Sequence, residues 1–143
     1  MNLIEKSALF PYSIESIFDL VADIESYPEF LDGCAGAEVL LKSGSRVTAK
    51  LSLARGGMAH AFTTQNELSR PNQIDLTLVD GPFKHLTGRW AFKALGDQGC
   101  KASLRLEFEF SRGFSEVAIA KVFDRIALDL VDALVIRANY LFK

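Results

Sequence analysis

Hydrophobic positions along the chain follow two periods, and the places where one gives way to the other divide it into elements. In SIESIFDLVADI, residues 13–24, Ile14, Ile17, Phe18 and Val21 sit at the i, i+3, i+4, i+7 spacing of one helical face. Ser13 stands where a helix N-cap is needed. In RVTAKLSLA the period is two: Val47, Ala49, Leu51 and Leu53 alternate with Arg46, Thr48, Lys50 and Ser52. KASLRLEFEF repeats the pattern, with Ala102, Leu104, Leu106, Phe108 and Phe110 set between Lys101, Ser103, Arg105, Glu107 and Glu109. Alternation of this kind predicts antiparallel strands with one face buried.

NLIEKSALF, GAEVLLK, MAHAFTTQNEL, QIDLTLVD and HLTGRWAFKAL bring the expected strands to seven. Turn residues at Ser43-Gly44, Gly56-Gly57, Arg70-Pro71-Asn72, Asp80-Gly81-Pro82 and Asp97-Gln98-Gly99 make neighbouring strands pair as a meander. From Ser115 the helical period returns for about 25 residues. Ile119, Val122, Phe123, Ile126, Leu130 and Leu134 form its apolar stripe, and Lys121, Arg125, Asp129 and Asp132 a polar edge. The order predicts one α+β domain over residues 1–143. A curved seven-stranded antiparallel sheet wraps a long C-terminal helix, and two short helices after the first strand close one end. Such a wrap leaves a cavity unless side chains fill it.

The second short helix is a matter of DIESYPEFLDGC, residues 23–34. Pro28 disfavours a continuous helix through Tyr27, so a second short helix or a turn is expected there. Tyr27, Phe30 and Leu31 are apolar where a connection is ordinarily polar, and are expected to cap the open end as a lid or a plug.

Composition narrows the function. The 143 residues are 49% hydrophobic and 24% charged, as in a globular domain. A net charge of -2, from 16 Lys+Arg against 18 Asp+Glu, excludes the global basic field that would draw DNA. Lys42, Arg46, Lys50, Arg55, Lys84 and Arg89 are candidates for a local basic strip on the outer sheet face. Cys34 and Cys100 read as two reduced, buried thiols. MNLIEKSALF has no signal-peptide h-region, and IALDLVDALVI is too short and too acidic to span a bilayer. The expected setting is cytoplasmic.

Catalytic chemistry is thin. His60 and His85 lie in strands without metal-ligand spacing, and no G-x-S-x-G, Walker or G-x-G-x-x-G pattern occurs. RGGMAH does not join a strand to a helix, and Glu107 and Glu109 belong to a solvated strand face. A binding protein without metal or cofactor is expected, not an enzyme. In DGPFKHLTGRWAF, Leu86, Gly88, Trp90 and Phe92 share one strand face. Gly88 there either admits another backbone or leaves room for a ligand, and Trp90 is core or ligand wall.

YPEFLDGC, VDGPFKHLTGRWAF, LEFEFS and VFDRIALDLVDALVIRA, in that order across essentially the whole chain, resemble the coenzyme Q-binding protein family of the START-like polyketide cyclase/dehydrase superfamily. Bacterial members of that family are also named ribosome association toxins. The resemblance implies a helix-grip fold. It implies a hydrophobic tunnel that binds ubiquinone or a related isoprenoid lipid and supports respiratory electron transport, with transient contact at the inner membrane. For some bacterial members it implies instead binding to the large ribosomal subunit and blocked subunit joining. Carried onto this chain, the tunnel is expected to be lined by Tyr27, Phe30, Leu31, Phe83, Trp90, Val122 and Ile126. The chain departs from the family pattern after Leu31, where Asp32-Gly33 replaces a common Pro-Trp before the Cys.

Overall fold

Seven strands and three helical segments follow one another as the two periods require. The computed structural model describes residues 2–55, 57–111 and 117–143. The chain runs through β1 (Asn2–Phe10), α1 (Ile14–Ala22), a 3-10 helix (Ile24–Glu29) and β2 (Cys34–Ser43). It continues as β3 (Arg46–Arg55), β4 (Met58–Ser69), β5 (Gln73–Asp80), β6 (Phe83–Ala94), β7 (Cys100–Phe110) and α2 (Val117–Phe142). The expected helix start at Ser115, the turn residue Gly56 and the side chain of Ile119 lie outside the described residues.

Short turns force the meander β2 to β7, and β1 closes the far edge on β7, giving the order β1-β7-β6-β5-β4-β3-β2 with every pair antiparallel. The N-cap is formed as the sequence predicts: Ser13 Oγ accepts from the Ser16 amide at 3.2 Å. Pro28 sits inside the 3-10 helix that follows.

The concave face of the sheet carries the alternating apolar set, and α2 covers it with Phe123, Ile126, Ala127, Val131, Leu134 and Ala138, all buried. Each large apolar side chain so covered contributes about 1.5–3 kcal/mol. Two clusters divide this core. At one end Ile17, Phe18 and Val21 of α1 meet Trp90, Phe92, Val131 and Leu134. At the other, Phe83, Phe108, Phe110 and Phe123 pack ring on ring, with Phe83 stacked on Phe110 at 4.8 Å and Phe108 edge-on to Phe123 at 4.9 Å.

Ion pairs pin the connections. Arg70, in the β4–β5 turn, grips Asp19 of α1 through Nε at 2.8 Å and Nη2 at 2.9 Å, and Arg89 Nε holds Asp75 at 2.7 Å. These hydrogen bonds keep the Asp19 and Asp75 carboxyls below their ordinary range, and Ser45 with Arg46 does the same to Glu67. A carboxylate depressed in the fold stabilises it above the unfolded-state pKa and loses that contribution as pH falls through the folded value. The melting temperature is therefore expected to drop once the pH falls below about 4. A profile flat down to about pH 3 would contradict this.

Candidate functional site

Where the two clusters do not meet, an internal cavity of about 110 Å³ remains between the sheet and α2. Val47, Ala49, Leu51 and Leu53 of β3, Ile74 and Leu76 of β5, and Leu104 and Leu106 of β7 wall it on the sheet side. Phe123, Ile126, Ala127 and Leu130 close it from α2, and Val21, Ala22 and Ile24 from α1 and the 3-10 helix.

Of the seven residues expected along a tunnel, Tyr27, Leu31, Trp90 and Ile126 come together on this wall. The structure places the other three elsewhere. Phe83 stands within the Phe62, Phe108, Phe110 and Phe123 rings, an aromatic block at one end of the core. Val122 packs half-buried against that same cluster. Phe30 lies outside the cavity, edge-on to Tyr27 at 5.7 Å and beneath the Arg137 guanidinium at 5.4 Å. Arg137 Nη2 also donates to Glu29 at 3.1 Å, so the 3-10 segment is fastened to α2 from its outer side. Between lid and plug, the segment divides: Tyr27 and Leu31 face the cavity, and Phe30 anchors them.

Gly33 explains the departure from the resembled pattern. Its φ of +96° is one that side-chain-bearing residues rarely adopt, and a Cβ there would stand 2.9 Å from Ile126 Cδ1. An aromatic at this point would displace the α2 side chain that closes the cavity. Gly88 is read differently from either expectation: Leu76 and Leu106 fold over it, with a hypothetical Cβ meeting Leu106 Cδ2 at 2.5 Å. Neighbouring leucines occupy its missing side chain, and both line the cavity.

Among the described residues, Tyr27, Cys34, Thr64 and Asn66, with the indole of Trp90, bring polar side-chain atoms to this apolar interior. The Tyr27 hydroxyl donates to the Val21 carbonyl at 2.6 Å, and burial holds its phenol far above the ordinary range. Cys34 directs its thiol to the Gly36 carbonyl at 3.5 Å and is likewise pushed up by burial. Thr64 Oγ1 donates to Asn66 Oδ1 at 2.9 Å. Among the described residues, no carboxylate, histidine, lysine or arginine lines the cavity. Asp124, whose carboxyl burial raises, lies off the lining. Sequence reasoning missed Thr64 and Asn66, although β4 alternates Phe62, Thr64, Asn66 and Leu68 toward the concave face.

Residues 10–135 match the protein family described as polyketide cyclase / dehydrase and lipid transport. The chain belongs to this family. Its helix-grip fold is shared with the Zhui aromatase/cyclase of Streptomyces sp. R1128, at a TM-score of 0.86 and 14% identity over 99% of this chain and 96% of that one. Over 142 residues the chain is 42% identical to the ribosome association toxin RatA of Vibrio cholerae, spanning 99% of each. With the mitochondrial coenzyme Q-binding protein COQ10 homolog B of Xenopus laevis it shares 25% over 133 residues, which is 90% of this chain and 54% of that protein.

On this START-like frame the outer basic strip expected from the sequence does not form. Arg55 has the inward parity of Leu53 and bridges to Asp129 at 2.9 Å and Asp32 at 3.7 Å. Arg46, Lys84 and Arg89 are taken by Glu67, Glu109 and Asp75 at 3.2, 3.9 and 2.7 Å. Only Lys42 and Lys50 of the six have no ion pair among the described residues.

Proposed function

We propose that this protein binds the large ribosomal subunit and hinders subunit joining, without catalysing a reaction. The observation that carries this reading is 42% identity across 99% of both chains to a protein named ribosome association toxin RatA. A cavity lining without an acid–base pair is in keeping with a binding role. Because four of the six strip cations are already paired within the chain, few counterions would be released on contact with RNA. Association is therefore expected to weaken only gently with salt. In sucrose gradients the protein is expected to move with large subunits and to leave small subunits alone; equal distribution between the two would contradict the reading.

A second reading rests on the cavity, an apolar space of about 110 Å³ with few polar groups, as small-molecule sites have. In it the protein carries ubiquinone or a related isoprenoid, a reading supported also by the 25% likeness to the coenzyme Q-binding homolog. Apolar cavities of about 150 Å³ take up a single benzene ring, so the space suits a ring and not a long tail. No helix among the described residues is long and apolar enough to cross a membrane. Uptake of a short-tailed quinone by the purified protein, lost on filling the cavity, tests this reading. The two readings are compatible.

A further inference from the structure

Asn66 brings to the cavity wall a buried polar group left without a partner. It is 1% exposed, deeper than most of the core, and the register sets it between Val47 of β3 and Leu76 of β5, both wall residues. Its Oδ1 is taken by the Thr64 hydroxyl at 2.9 Å, while its Nδ2 has no hydrogen-bond partner. Two other polar side chains of the wall are satisfied inside the protein, Tyr27 on the Val21 carbonyl and Cys34 on that of Gly36. A buried amide N–H without an acceptor carries its full desolvation penalty, and such groups in native proteins call for an explanation. Here the residue lines an apolar space of about 110 Å³, with Nδ2 itself covered by its neighbours.

From this we infer that Asn66 Nδ2 reads a carbonyl-type acceptor on a compact apolar ligand, the amide turning from its covered position toward the cavity as the ligand enters while Thr64 keeps hold of Oδ1. The inference rests on the cavity reading above and goes further than it: the ligand must carry an unhindered acceptor on an otherwise apolar ring. A donor held in this way discriminates strongly, because a ligand lacking the acceptor leaves the amide buried and unpaired.

Two molecules of one shape test it: cyclohexanone, and methylenecyclohexane, in which C=CH2 replaces C=O. Both are titrated into the protein and followed by NMR. The side-chain amide signals of Asn66 are expected to move downfield with the ketone and not with the hydrocarbon. In Asn66→Leu, the ratio of ketone to hydrocarbon affinity is expected to fall about tenfold, the size of one such hydrogen bond. If both molecules bind but the amide signals and the ratio are unmoved, the role of Asn66 is wrong and the cavity reading stands. If neither molecule binds the native protein, the cavity reading fails and this inference falls with it.

Discussion

Replacing Phe123 by alanine is expected to destabilise the protein by about 4 kcal/mol, in the middle of the range for a buried phenylalanine. The ring is 5% exposed and lies 4.9 Å from Phe108, 5.2 Å from Phe83, 5.8 Å from Phe110 and 6.0 Å from Phe62. Each edge-on pair adds roughly 0.5–1.5 kcal/mol to the area buried. The same ring is also a wall of the cavity. The void left by truncation therefore joins a space that is already open, and the surrounding side chains have little to collapse onto. Urea unfolding with an unchanged slope would measure the loss. A loss below about 1.5 kcal/mol would mean that the site relaxes, and that the aromatic block is not what fixes α2 on the sheet.

The second large effect separates the inside of the molecule from its surface. In Gly88→Val the new Cβ falls 2.5 Å from Leu106 Cδ2, 3.0 Å from Leu76 Cδ1 and 3.3 Å from the Arg105 carbonyl. The backbone contact cannot retreat, so the two leucine tips must, and the space beyond them is the cavity. Overpacking of this kind costs about 1–3 kcal/mol, which leaves a folded protein with its cavity filled. Quinone uptake is expected to disappear in the variant, while movement with large ribosomal subunits is retained. Equal uptake by variant and native protein would show that ligand does not enter this space. Loss of ribosome association by a variant that keeps its fold would show that the two properties share a surface.

Much of this architecture is legible in the sequence because a single physical rule, alternation, sets the buried face of β3, β6 and β7. Ser13 and the Gly and Pro turns then fix where elements begin and end, whereas Pro28 sits inside the 3-10 helix and ends nothing. The misplacements have equally local causes. Phe83 is odd-numbered on a strand whose even positions, Leu86, Trp90 and Phe92, are buried; a bulge between Phe83 and His85 turns it inward, into the aromatic block. Arg55 continues the inward row of Val47, Ala49 and Leu53, so its own alternation contradicted a place on the outer face. Phe30 was recognised as out of place in a polar connection, but its partner, Arg137, lies 107 positions further on, beyond the reach of any local pattern. Thr64 and Asn66 escaped because they are polar: on β4 the inward row reads as broken alternation, and only the three-dimensional register shows both inside the cavity.

Ribosome association is the central claim, and it is tested most directly with washed, separated subunits and the purified protein. Added to large subunits before small ones, the protein is expected to lower the yield of joined ribosomes in a dose-dependent way, to pellet with the large subunit, and to keep doing so in Gly88→Val. Full subunit joining at a molar excess of protein, with the protein left in the supernatant at low salt, would contradict the account.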